Sequence, residues 1–459
     1  MASLLSVLDV SRDGMMAQAT ALDITGQNVS NASTPGYVRR VAQIETTPTY
    51  GAFGSVRVAG IGRILDRFAA GRAIAESGKQ GAAEARAAAI ANAESILTPP
   101  TVPSVADRMA VFYGSMAALG QNPSDPSVRG AALAAAGELT HSVGNTAGQL
   151  AAAQASLLGK AQGVTSEVND RLTRIAALNR QIAEASAQGA TPADLMDQRE
   201  SLLREVGERI GAQAVEQPNG SITLLSSGTA LVDGDRASSI SVEPDANGKI
   251  AVRLMRPSGV VEDITPNVTT GTLGGIREAR DVDIARAFAQ LDQLAHDLTT
   301  TVNAIHVGGY GLDGQTGRPL FEPHATVAGS ARAMAISAQV QANPQALATA
   351  SSAADLPGGN DVAIALSQLS QQALGGSPTP AQAFASIASG LGVAKQSADA
   401  EVALRAATLS QAENMRDSAS GVSLDEEMVN LTKFQRAFEA SMTVLRTVDE
   451  LLEGIVKGL

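Results

Sequence analysis

Residues 424–459 read LDEEMVNLTKFQRAFEASMTVLRTVDELLEGIVKGL and contain no proline. Leu424, Met428, Leu431, Gln435, Phe438, Met442, Leu445, Asp449, Leu452, Val456 and Leu459 alternate by fours and threes. That is the spacing of a coiled-coil seam of about five heptads, with two polar interruptions. Phe434, Val448 and Ile455 form a second stripe one position away, which widens the apolar face. A face that wide predicts a helix with more than one neighbour. An amphipathic core helix of a globular domain has the same periodicity, so both readings stand at this point.

The other end of the chain offers a partner. Leu4, Leu8, Ser11, Met15, Leu22 and Val29 mark a helical stripe over residues 3–30, thinned by Ser11 and Gln18. Gly26, Asn28 and Asn31 weaken that helix and Pro35 ends it. The stretch NVSNASTPGY at 28–37 then reads as a joint. Pro35 cannot donate to a helix and holds Thr34 extended, Gly36 permits a tight turn, and Tyr37 can anchor it. Asn28 and Asn31 head two glycosylation sequons, but here they read as polar residues at a helix end.

Between the ends, YVRRVAQIETT and GSVRVAGIGRI predict a β-hairpin, and Asp66 to Leu97 an Ala-rich helix stopped by TPPTVP. From Val128 to Gln188 there is no proline and the period is helical. A further helix is expected over 193–210. Residues 211–275 are Gly-rich and β-like, with Asn219-Gly220 and Asn247-Gly248 as turn signals. Helix returns at Gly275 and runs to His306; 326–360 is irregular; and from Asp361 the pattern is helical again with a break at GGSPTP. The expected fold class is mainly α with a β insertion, in an elongated multidomain chain whose terminal helices pair. The expected division is 1–33 and 416–459 for the paired terminal coiled coil, and 34–210 and 276–415 for a helical middle domain carrying the hairpin near 37–64. A small β-rich outer domain would span 211–275.

Composition limits function. At 459 residues the chain exceeds one ordinary core. It has no cysteine and no tryptophan, which removes disulfides and thiolate metal sites. Aromatics are only 3 %, so cores must be thin and built from Ala, Leu, Ile, Val and Met. A net charge of −12 with no basic stripe argues against nucleic acid and anionic membranes as partners. The N-terminal segment lacks the basic start of a cleaved leader, and no apolar run reaches spanning length.

Chemistry-bearing constellations do not stand out. His141, His296, His306 and His324 make no ligand spacing and read as structural. DGQTG after Leu312 lacks the acidic spacing of a calcium loop, and GTLGG at 271–275 reads as a tight strand-to-helix connection. Glu426-Glu427 reads as an acidic pair favouring a helix dipole. No cofactor, metal or catalytic residue is expected, and the reading is a non-enzymatic assembly protein.

NVSNASTPGY at 28–37 and GVSLDEEMVNLTKFQRAFEASMTVLRTVDELLEGIV at 421–456 resemble the two terminal signatures of bacterial flagellar axial proteins. QNPSDPSVRGAAL at 121–133, DLMDQRESLLREVGERIG at 194–211, GTLGGIREARD at 271–281 and GGNDVAIALSQL at 358–369 narrow the likeness to the FlgK family of hook-associated proteins. The resemblance implies export unfolded through the flagellar type III system without a cleaved leader, and an extracellular place in the flagellum. It implies self-association into a hook–filament junction ring, contact with the hook protein and a second junction protein, and a dedicated export chaperone. It also implies assembly through the terminal helices. On that reading Asn28, Asn31, Pro35, Gly36 and Tyr37 form the joint, and Leu424, Met428, Leu431, Phe434, Phe438, Met442, Leu445 and Leu452 form the assembly seam. After Phe321 there is little room for a further outer β domain. The alternatives are another axial protein, such as the hook subunit or the second junction protein, or a secreted coiled-coil adhesin or effector.

Overall fold

The computed structural model describes residues 2–34, 37–47, 54–374 and 378–457. Pro35, Gly36, the Tyr-Gly turn at 50–51, part of the GGSPTP break and Leu459 lie outside them. The order begins with α1 (Ala2–Asn31), the hairpin β1 (Arg40–Thr47) and β2 (Ser55–Arg63), then α2 (Arg67–Leu97), α3 (Val105–Gln121), α4 (Pro126–Ala187) and α5 (Ala193–Ile210). Strands β3 (Ala212–Glu216), β4 (Ile222–Ser226), β5 (Thr229–Asp233) and β6 (Arg236–Ala237) form one antiparallel meander. β7 (Ser239–Pro244), β8 (Ile250–Met255) and β9 (Val261–Asp263) form another. Helices α6 (Gly271–Glu278), α7 (Ala285–His306), α8 (Ser330–Ala333), α9 (Ala338–Ala342), α10 (Asp361–Gln368), α11 (Pro380–Ser420) and α12 (Leu424–Lys457) complete the chain. The fold is mainly α with a β insertion.

Helix ends follow the local sequence. Asp66 accepts from Phe68 N at 2.9 Å and Ala69 N at 3.0 Å to open α2. Ser104 and Asp107 make a capping box for α3, Asp125 caps α4 with Pro126 in its first turn, and Thr379 and Gln382 make a second box for α11. With no internal proline α4 runs for 62 residues, about 93 Å at 1.5 Å per residue. It is held along its length by α3, α5, α8 and β7. Gly220 (φ +82°) and Gly248 (φ +74°) close the β3–β4 and β7–β8 turns in the left-handed region.

α2 is the centre of the body, packed on α11, α6 and α5. The closeness of these crossings requires glycine. A Cβ on Gly275 would stand 2.0 Å from Ala82 O, and one on Gly207 2.3 Å from the Ile74 side chain. GTLGG therefore joins the β lobe to α6 and lets α6 lie directly on α2. The helix expected from Gly275 begins four residues earlier and contains a π turn at Ala279–Ile284. Arg280 and Asp283 of that turn are buried, and Asp283 accepts two hydrogen bonds from Arg86 of α2, at 2.8 and 3.1 Å.

Four helical asparagines dock extended chain onto the helices in one repeated way. Each carboxamide pairs with both the N–H and the C=O of a single residue. Asn28 pairs with Arg40, Asn169 with Ile240, Asn179 with Ile222 and Asn303 with Phe321, at donor–acceptor distances of 2.7–3.2 Å. The side chain stands in for a neighbouring strand and satisfies backbone groups that burial would otherwise orphan.

The irregular segment after α7 is held by buried polar groups. Arg129, 1 % exposed, donates only to backbone carbonyls, those of Pro123, Pro344, Gln345 and Leu347. Burial lowers its pKa to about 10. His306 donates through Nδ1 to Arg318 O at 2.8 Å and accepts Ala348 N at Nε2 at 2.9 Å. Asp313 of the DGQTG loop is taken up by Arg318.

The joint and terminal hairpin as candidate assembly site

α1 and α12 pack against each other antiparallel. Asn28 meets Glu427, and a Cβ at Gly14 would lie 3.6 Å from Ser441 Oγ. These two contacts fix one register. It brings Ala21 level with Phe434 and Ala17 level with Phe438, small residues opposite large ones.

Within the single chain, burial divides both terminal stripes. On α1 the deepest positions are Ser11, Ala17, Ala21, Ile24, Thr25 and Asn28, whereas Leu4, Leu8, Met15, Leu22 and Val29 are half-buried. On α12 the contacting face runs through Glu427, Leu431, Phe434, Phe438, Ser441, Leu445, Val448 and Leu452. Of the expected seam, Leu431, Phe434, Phe438, Leu445 and Leu452 lie on that face, half-buried. Leu424, Met428 and Met442 do not; they are 52 %, 56 % and 43 % exposed. The physical reason is width. α1 presents a narrow alanine-lined face that covers one stripe of α12 and leaves the adjoining one open. On the other flank Val444, Leu451 and Ile455 are also exposed.

At the joint, Asn28 is 1 % exposed and serves as a hub. Its Nδ2 donates to Arg40 O at 2.8 Å and to Glu427 Oε2 at 3.0 Å. Its Oδ1 accepts Arg40 N at 3.0 Å and the Tyr37 hydroxyl at 2.9 Å. Burial raises the Tyr37 pKa, and its ring lies under the Arg40 guanidinium, 5.3 Å from centroid to Cζ. Asn31 donates to Gln27 O and accepts from Thr34 Oγ1, so it closes the last turn of α1 and does not enter the hub.

Two neighbouring arginines bind opposite parts of the molecule. Arg39 donates to Glu427 at 2.7 Å and Glu426 at 2.7 Å, both in the first turn of α12. Arg40 pairs with Asp194 at 2.7 Å and with Asp197, both on α5, and Arg63 joins Asp197 at 2.7 Å. Backbone bonds from Arg39 N to Ser420 O and from Ile64 N to Arg39 O tie β1 to the end of α11 and to β2. Sequence reading passed over Arg39, Arg40, Asp194 and Asp197, and read Glu427 only as a helix-start acid favouring the dipole. It is 1 % exposed and is the partner of Arg39 and Asn28. The available signal was its place on the seven-residue grid of Phe434, Ser441 and Val448.

An open cleft of about 620 Å³ adjoins the joint, bordered by Tyr37, Arg39, Arg204, Arg416, Asp417 and Glu426. Arg39 and Arg416 there are already paired with Glu426 and Asp417. Among the described residues no group of three or more His, Asp or Glu is placed to hold a metal, and no helix is long and apolar enough to cross a membrane.

Paired terminal helices joined to a helical body are the frame on which the class is recognised, that of the bacterial flagellar rod, hook and hook-associated proteins. Both ends match models of that class: residues 8–37 the flagella basal body rod protein, and 413–457 the C-terminal part of the flagellar basal body rod FlgEFG protein. Residues 90–321, just over half of the chain, match the helical domain of flagellar hook-associated protein FlgK. The chain belongs to the FlgK family. It is 24 % identical to flagellar hook-associated protein 1 of Escherichia coli K12, over 98 % of this chain and 99 % of that one. It is 24 % identical to the protein of the same name from Bacillus subtilis 168, over 98 % of each. A solved structure, the flagellar hook junction protein FlgK from Burkholderia pseudomallei, shares the fold with a TM-score of 0.67. It covers 76 % of this chain and all of that one at 16 % identity.

Proposed function

We infer that this protein is a structural, non-enzymatic component of the bacterial flagellum that forms the junction between hook and filament. Family membership supports the structural role in the flagellum. The observation that carries assembly through the termini is α12. One face of this helix is occupied by α1, and both flanks are apolar and open, Leu424, Met428 and Met442 on one side and Val444, Leu451 and Ile455 on the other. Copies of the same chain are the proposed occupants of those flanks. Heterologous contacts of this kind close into a ring or continue as a helical lattice.

On this reading Asn28, Asn31, Pro35, Gly36 and Tyr37 set the angle between the hairpin and the body. The hook protein and a second junction protein lie on either side of the ring. Export unfolded through the type III system, a chaperone for α12 and an extracellular place follow from the family resemblance.

Deleting the gene and imaging cells by electron microscopy tests the reading. Loss of a junction protein leaves hooks without filaments and flagellin in the medium. Cells without hooks would instead assign the hook subunit, and unchanged motility would favour an adhesin. Complementation with Phe438→Asp sharpens the test. The variant is expected to keep the helicity of the body and fail to support filament growth, because a charge enters the hairpin contact.

A further inference from the structure

We infer that Glu427, clasped by Asn28 and Arg39, is the residue that fixes the register of the C-terminal helix on the N-terminal helix. The apolar contact between α1 and α12 cannot do so by itself. On α12 the contacting residues fall on two seven-residue grids, Leu431, Phe438, Leu445, Leu452 and Phe434, Ser441, Val448. On α1, Val7, Gly14, Ala21 and Val10, Ala17, Ile24 recur at the same seven-residue spacing beside Asn28. A slip of one heptad therefore sets apolar residues opposite apolar residues almost everywhere.

What the slip cannot reproduce is the polar knot. Glu427 and Asn28 are each 1 % exposed, and each grid has one such residue at its joint end. Moving α1 one heptad away from the joint would set Asn28 level with Phe434. It would take Asn28 from the Glu427 carboxylate, which it now meets at 3.0 Å, and leave that buried acid with Arg39 alone. Gly26 and Asn28 are poor helix formers, so unwinding the end of α1 supplies the slack for such a slip. A single buried polar contact that costs little in the right register and much in every other is how coiled coils specify alignment.

This inference concerns the chain's own conformations and is tested on purified protein, apart from flagellar assembly. The chain contains no cysteine, so introduced thiols are unique. Gly14→Cys with Ser441→Cys reports the observed register, because a Cβ at Gly14 lies within disulfide reach of position 441. Gly14→Cys with Val448→Cys reports the one-heptad slip. With Glu427 present, the first pair is expected to cross-link and the second only in traces. With Glu427→Ala, the preference is expected to fall by about a hundredfold, so that the slipped pair forms readily. Unchanged selectivity in Glu427→Ala would overturn the inference. So would loss of both cross-links with the body still folded, which would make Glu427 a condition of pairing and not of register. Absence of the first cross-link in the parent would overturn it too.

Discussion

The body and the terminal hairpin are both mainly helical, yet they are held together differently. In the body, Phe112, Met109, Met116, Leu139, Leu150, Leu172 and Ile175 are fully enclosed, and the Phe112 ring meets those of Tyr113 and Phe321 in tilted contacts with centroids 5.2 and 5.8 Å away. In the hairpin, Val448 is the one apolar side chain of α12 that is buried among the described residues, at 5 % exposure. α1 contributes small and polar residues, Ser11, Ala17, Ala21, Thr25 and Asn28, with Ile24 its one large buried apolar side chain among the described residues. The body closes its own core; the hairpin closes half of one and fixes its alignment with polar groups. On the proposed function this is expected, since an element that accepts neighbours on its flanks cannot also satisfy its apolar surface alone.

The largest expected consequence is in hydrogen exchange. In dilute monomer, residues 1–30 and 424–457 are expected to exchange about a thousandfold or more faster than 130–210, and to become protected on assembly. Equal protection of both regions in the monomer would erase the comparison.

Next comes the polar support of the body. Arg129→Met removes the cation from a cage of carbonyls and leaves them unpaired, with an expected loss of about 3–5 kcal/mol in denaturant unfolding of the body. The Gly14/Ser441 cross-link of the hairpin should be unaffected.

Slightly smaller is an acid effect at His306. Burial lowers its pKa to about 4 in the folded chain, against about 6.5 unfolded, so the unfolded state binds the extra proton first. Stability from this group is complete above pH ~6.5 and is lost as pH falls toward 4, by about 3 kcal/mol. Equilibrium unfolding at several pH values checks the slope, which His306→Asn should flatten.

The smallest effect belongs to the hairpin. Gln18 Oε1 is buried without a partner among the described residues. Gln18→Leu is expected to slow exchange in α1 and α12 by about tenfold or less, worth about 1 kcal/mol. A loosened hairpin would mean that Gln18 has a polar role.

The difference between the regions also marks what sequence could reveal. The long proline-free span of α4, the caps at Ser104 and Thr379 and the heptads of α12 are local signals, and the fold class followed from them. The four asparagine clasps were not legible. Asn169 meets Ile240 and Asn303 meets Phe321 across loops and turns, and a polar residue on a helix has no periodic mark that names its partner. Asn28 was read as a polar helix-end residue of the joint, but its partners were not legible, because Arg40 and Glu427 come to it only in the fold. On α12 the period was visible but the rotation was not. Periodicity says that a helix has an apolar face; the width of the opposing helix decides how much of that face is used.

Arg39 and Arg40 give the joint a mechanical character. Successive residues at the start of a strand point to opposite sides, so one guanidinium grips the first turn of α12 and the next grips α5. A torque on the hairpin therefore reaches the body across a single peptide unit, with no flexible tether between them. The joint behaves as a rivet passed through two plates. A slip of this strand start by one residue would turn the rivet over, presenting each arginine to the other's carboxylates and loosening both plates at once.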